Sequence, residues 1–211
     1  CPMVEKMVDW IEKNIHETAQ FRLHFGEKYK PKVILWSDRR KSEYYKQKLQ
    51  VAFEFENYIE GFFRKKYDLE VSPFITPEGQ YKLGENKLGI EIKNDTLITK
   101  YGNIYIEYAE KSGGQIKKYV RSGILKDDRS VYFLIGDEEK FWVFRKERLK
   151  KIYFEEKALR AEGKPSKRGI VFKTKPTSLG FVIPLKEAIR EAMDLDMLAA
   201  ELRKIKQDND T

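Results

Sequence analysis

The chain has 211 residues, 41% of them hydrophobic and including 13 Phe, 12 Tyr and 3 Trp, so it carries enough apolar bulk for a core and is not a disordered chain. Its 42 Lys and Arg outnumber 34 Asp and Glu for a formal net charge of +8, which favours a polyanionic partner but is also what a lysine-rich solvated surface shows. Cys1 is the single cysteine, which excludes an internal disulfide and a cysteine-based zinc site, and His16 and His24 stand too far apart in sequence for a helical zinc pair.

In chain order, residues 3–20 read as an amphipathic helix, with Met3, Met7, Trp10, Ile11 and Ile15 at helical spacing. Glu5, Asp9 and Glu12 interrupt any apolar targeting segment, and no apolar run approaches a membrane span, so the expected setting is the cytoplasm of a cell or of a phage host. Pro31 is a break, and Val33 to Trp36 form a short apolar run. A helix is predicted from about Arg40 to Lys66, burying Tyr44, Leu49, Phe53, Tyr58, Phe62 and Phe63. Leu69 to Ile75 reads as a strand, closed by the turn signature Thr76-Pro77-Glu78-Gly79.

Leu88 to Lys93 and Asn103 to Tyr108 each alternate apolar and polar residues, and a loop near 96–102 between them predicts an antiparallel hairpin. Val131 to Ile135 is a continuous apolar strand, expected to be buried on both faces. Phe141 to Phe144 is another strand, followed by a charged helix over about 146–162. A basic loop, 163–168, precedes a final hairpin of 169–173 with 181–183. One helix is predicted from Leu185 towards Ile205, with a frayed tail. The expected class is α/β, with a mixed β-sheet flanked by helices and organised as an N-terminal helical extension (1–40), a core (41–185) and a C-terminal helix (186–211).

Chemistry concentrates in Gly89-Ile90-Glu91-Ile92-Lys93-Asn94-Asp95 and Gly102-Asn103-Ile104-Tyr105-Ile106-Glu107. Strand alternation puts Glu91, Lys93 and Asp95 on one face, with Ile90 and Ile92 on the other. Tyr105, Glu107, Ala109 and Lys111 share a face of the second strand. In a hairpin, facing carboxylates from the two strands would come within reach of one hard cation, which polarises a phosphate and acidifies a bound water while a lysine orients that water. The bland alternative is a solvated strand, because apolar-in, charged-out alternation produces Ile-Glu-Ile-Lys by default.

Glu91-x-Lys93-x-Asp95, then Gly102-Asn103-x-x-x-Glu107, then Ser122-Gly123-Ile124 resembles a pattern in phage and restriction-type nucleases of the PD-(D/E)XK superfamily. Phe181-Val182-Ile183-Pro184-Leu185 resembles the strand-to-helix end of such domains, so the resemblance runs from about Val51 to Leu185. It implies a restriction-endonuclease-like core and an Mg²⁺- or Mn²⁺-dependent endonuclease acting on DNA, with Asp95 and Glu107 as metal ligands joined by Glu91. The lysine usually found two residues after the second carboxylate is replaced by Ala109, leaving Lys93 first and Lys111 second as substitutes. A rival register takes Pro77-Glu78 with Glu91-Ile92-Lys93. The superfamily often adds a helix glutamate, for which Glu54, Glu56 and Glu60 are available, Glu60 first and Glu56 second. Expected nucleic-acid contacts are Lys117, Lys118, Arg121 and Ser122, with Lys164, Lys167 and Arg168 on the basic loop. A restriction-like enzyme cutting both strands implies a homodimer. The alternatives are an inactive nucleic-acid-binding domain that keeps the fold, motivated by Ala109, and an RNA endonuclease.

Overall fold

The computed structural model describes residues 43–71, 88–111 and 118–209. The predicted elements over 3–20 and 33–36, the turn at 76–79 and the rival motif residue Glu78 lie outside them. Two compact units comprise Cys1–Asn57 and Tyr58–Thr211, and all of the packing below belongs to the second.

The long helix is present as α1, Glu43–Tyr67. Ile59 and Phe63, four residues apart, are fully buried, while Arg64, Lys65 and Lys66 occupy the last turn, where cations oppose the negative end of the helix dipole. The helix stops because Asp68 takes a left-handed conformation (φ 54°), which lets the Leu69 amide reach back to the Phe63 carbonyl at 3.3 Å. Leu69, predicted to open a strand, instead belongs to this helix exit.

The strands form two sheets. The first has order β1-β4-β5, from β1 (Ile90–Asn94), β4 (Tyr132–Gly136) and β5 (Phe141–Arg145). The second has order β3-β2-β7-β6, from β2 (Asn103–Glu110), β3 (Val120–Arg121), β6 (Val171–Thr174) and β7 (Ser178–Pro184). The mixed α/β class therefore holds, but the expected β1–β2 hairpin does not. β1 pairs in parallel with β4, Ile92 opposite Leu134, while β2 pairs antiparallel with β7 and β3.

The reason lies between the strands. Ile98–Tyr101 winds into one helical turn, α2, which buries Ile98 and carries the chain from one sheet to the other. Gly102, at φ 63°, ends that turn by donating its amide to the Ile98 carbonyl, and β2 starts at once at Asn103. Gly102-Asn103 is thus a helix stop and not a hairpin tip. The apolar composition of β4 suits a strand with no wet face: all five of its residues are buried, although Val131, expected to open it, lies outside the strand and is exposed.

One core joins the two sheets to helix α3 (Lys146–Ala161). Ile104, Ile106, Phe181 and Ile183 from the second sheet meet Phe133, Ile135 and Phe144 from the first, with Leu149 and Ile152 from the helix. The predicted final hairpin is present as β6 and β7. The predicted C-terminal helix is two helices, α4 (Leu185–Glu191) and α5 (Leu195–Asn209). The break has a local cause. Met193 pairs with Val143 at the sheet, pulling the chain straight, and Asp194 then caps α5 by accepting the amides of Asp196 at 2.8 Å and Met197 at 3.1 Å. Among the described residues no helix is long and apolar enough to cross a membrane.

Candidate active site

β1 does not follow the apolar-in, charged-out pattern. Ile90, Glu91 and Ile92 are all buried, and Glu91 is only 4% exposed. A carboxylate held there needs a cation, and Lys93 Nζ lies 2.7 Å from Glu91 Oε1. Lys93 itself is half exposed, so its ammonium spans the buried acid and the solvent.

Glu107 arrives from the other sheet. Its Oε1 accepts a hydrogen bond of 2.6 Å from the Ser122 hydroxyl. Burial pushes the Glu107 carboxyl above its usual range; Ser122 and then the charge of Lys93 pull it back, and the charges of Glu110 and Glu91 push it up again. Glu91, Lys93 and Glu107 are therefore close enough to feel one another's charge, although β1 and β2 are not hydrogen-bonded neighbours. A carboxylate whose charge burial disfavours, set beside a second buried acid and a lysine, makes Glu107 the candidate site residue of this fold.

Ser122-Gly123-Ile124 is the mount for this carboxylate. Ser122 is 3% exposed and commits its hydroxyl to Glu107. Gly123 sits at φ 49°, and a Cβ there would lie 2.3 Å from the Glu107 carbonyl oxygen, so only glycine lets the turn press against β2. Ile124 is fully buried and anchors the turn in the core. Ser122, expected to contact nucleic acid, is instead seen buried and bonded to Glu107.

The remaining expected residues fall elsewhere. Asp95 lies just beyond the end of β1, and its Oδ1 accepts the Leu97 amide at 3.0 Å, which closes the turn leading into α2. Its carboxylate therefore has a structural role of its own. Glu60 is buried and bonded to Arg64 at 2.7 Å along α1. Glu54, the third helix candidate, accepts a hydrogen bond from Gln50 at 2.9 Å and is exposed, while Glu56 lies in the first compact unit. Ala109 is buried, and the shared face expected for Glu107 and Ala109 is broken by a bulge between them. Lys111, past the end of β2, stands 4.8 Å over the Tyr119 ring.

Of the expected nucleic-acid contacts, Lys118 and Arg121 are exposed and Lys117 lies outside the described residues. Lys164 is paired with Glu162 at 2.7 Å, and Lys167 is exposed. Arg168 is committed to acids within the protein. Its guanidinium bonds Glu155 at 2.8 Å and Glu156 at 3.2 Å and lies 3.6 Å from Glu191, so its charge is consumed in tying the basic loop to α3 and α4.

Sequence reading also missed a buried pair. Lys146 and Asp128 meet at 2.6 Å with side chains 4% and 1% exposed, and Ser130 adds a 2.6 Å bond to the same carboxylate oxygen. Burial pushes Asp128 up, but Lys146 and Ser130 outweigh it and hold its carboxyl below the usual range. The signal available was Asp128-Arg129-Ser130, an Asx-turn pattern placed before an apolar strand.

Magnesium is commonly held by one or two protein carboxylates, with waters and substrate phosphates completing its six oxygens. Glu91 and Glu107 fit that modest requirement in donor chemistry, and a desolvated carboxylate whose charge is disfavoured gains from a bound cation. Among the described residues no group of three or more His, Cys, Asp and Glu side chains converges as a ligand set. No protein-family model, no curated protein and no solved structure matches the chain.

Proposed function

We propose that the chain is a metal-dependent nuclease with a restriction-endonuclease-like core of the PD-(D/E)XK kind, hydrolysing DNA phosphodiester bonds. The observation that carries this reading is the Lys93–Glu91 pair, with Glu91 buried on β1, and the Ser122-held Glu107 of the other sheet, a carboxylate that senses the charge of both. In this reading Glu107 and Glu91 hold Mg²⁺ or Mn²⁺, and Glu91, in place of Asp95, partners Glu107. When bound, the ion would neutralise the phosphate's developing charge and acidify a water. Lys93, paired with Glu91, serves to orient a water or a phosphate oxygen from its half-exposed position. Ser122 fixes which way the Glu107 carboxylate faces.

Cleavage of plasmid and linear DNA with Mg²⁺ or Mn²⁺, its loss with chelator, and its loss in Glu107→Gln and Glu91→Gln together test the reading. Cleavage that persists in chelator, or in Glu107→Gln, sinks it. The second reading is a nucleic-acid-binding domain without catalysis, favoured by Ala109 being buried where the superfamily carries its lysine. Tight binding with no cleavage under any metal is its signature.

A further inference from the structure

The second sheet has one face in the core and one face open. Directly paired residues on neighbouring strands point to the same side. Phe172, Phe181 and Ile106 form a cross-strand row, and all three pack into the core. The rows on either side of it therefore point outward: Val171, Val182 and Tyr105 in one, Lys173, Gly180 and Glu107 in the other. Val171 is 48% exposed and Lys173 is exposed, so this outer face meets solvent.

Glycine at 180 leaves a shallow place that the Tyr105 ring fills. A Cβ on Gly180 would lie 2.3 Å from the ring, and the Tyr105 hydroxyl is 3.0 Å from Ser178 Oγ. The ring is thus laid flat along the sheet and held at its far end. Lys175 Nζ stands 3.4 Å above it. A second such pair follows, Lys111 over Tyr119 at 4.8 Å, and the Tyr119 hydroxyl donates to the Lys175 carbonyl at 3.3 Å. Tyr105 stands two residues before Glu107 on the same face of β2, so the first aromatic-basic pair borders the site, and the second is tied to it through the Tyr119–Lys175 bond. Glu110, paired with Ser178 and Val120, is the exposed acid on this face, whereas Arg121 pairs with Ala109 and so belongs to the other side of the sheet.

An open antiparallel face with fixed aromatic rings, each beside a lysine, suits unstacked bases strung on a phosphate backbone. A lysine over a partly exposed ring is held weakly enough to move onto a phosphate when a base takes its place. A duplex gains nothing from the rings, because its base faces are already stacked on one another. We propose that the outer face of the β3-β2-β7-β6 sheet binds single-stranded nucleic acid, with bases on Tyr105 and Tyr119, phosphates on Lys173, Lys175 and Lys111, and the strand led to Glu107. The last element rests on the nuclease reading; the binding surface does not.

The test is fluorescence anisotropy of the full chain with labelled oligo-dT, oligo-rU and a DNA duplex, in chelator so that nothing is cut. The single strand is expected to bind at least about tenfold more tightly than the duplex, and Tyr105→Ala and Tyr119→Ala each to weaken it about tenfold with little change for the duplex. Tyr105→Phe, which keeps the ring and loses only the bond to Ser178, separates stacking from a folding defect by retaining single-strand binding. Replacing Lys173 and Lys175 with Gln should flatten the salt dependence of that binding. A preference between dT and rU assigns the sugar, and either result upholds the surface. Equal affinity for duplex and single strand, no binding to either oligomer, or a folded Tyr105→Ala variant that binds as the parent does would overturn it. Binding without cleavage removes the nuclease reading alone; cleavage of duplex that ignores Tyr105 removes this one alone.

Discussion

Replacing Ser122 with Ala takes one oxygen from the candidate site and leaves the fold's apolar contacts intact. In the parent, that hydroxyl lies 2.6 Å from Glu107 Oε1, and Ser122 is 3% exposed, so bulk water does not simply replace it. A hydrogen bond to an ionised acceptor is worth about 1.5–3 kcal/mol. Because the bond favours the ionised carboxyl, its loss should move the titration of Glu107 upward and destabilise the ionised protein by up to that amount. The direction is set by what remains. Burial already holds the carboxyl above its usual range, and Ser122 and Lys93 are the groups that oppose burial. Carboxylate-resolved NMR titration of Glu107 measures the effect directly, and the acid limb of any cleavage profile should move the same way. Ser122→Thr, which keeps the hydroxyl, should restore the parent titration. If the Ala variant folds and Glu107 titrates where it did before, the Ser122 bond is not what holds this carboxylate, and the account of the site fails.

Glu107→Gln should raise stability at neutral pH while abolishing metal-dependent cleavage, because an uncharged amide no longer pays desolvation of a carboxylate. A raised folded-state pKa contributes stability that is present below the ordinary value of 4.5 and lost as pH rises through the folded value. The gain in urea denaturation should therefore grow with pH over that window, and a gain independent of pH would contradict it. Asp128→Asn should cost about 3–5 kcal/mol near neutrality, since it leaves Lys146 buried without its anion. Asp128 has a depressed pKa, so its contribution is present above the ordinary 3.8 and disappears as pH falls through the folded value; the cost should shrink in acid. Arg168→Ala should lower stability by about 1–3 kcal/mol and leave nucleic-acid affinity unchanged. A variant that loses affinity with unaltered stability would return Arg168 to the binding surface.

The helices at Glu43–Tyr67 and Lys146–Ala161 and the last hairpin follow from local patterns, because periodicity and turn residues act over a few positions. Glu91, Lys93 and Glu107 stood out as charged groups at fixed places in alternating strands, and the structure brings them within electrostatic reach. The route by which they meet was not legible. A hairpin and a strand–helix–strand passage between sheets can share the same alternation, and Ile98–Tyr101 is too short to show helical periodicity. The break at Ala192–Asp194 shows the same limit, since it depends on Met193 reaching Val143.

Amino-acid order by itself determined the longer helices and most of the strands, which residues are apolar enough to hide, and which few acids and lysines were candidates for chemistry. Tertiary structure alone decided that Glu91 is buried while Asp95 closes a turn, that Ser122 serves Glu107, and that Arg168 is neutralised by three glutamates. The physical reason is that desolvation and ion pairing are properties of neighbours in space. A carboxylate's sequence position fixes its charge, but the strand packed beside it fixes what that charge costs and therefore what it can do.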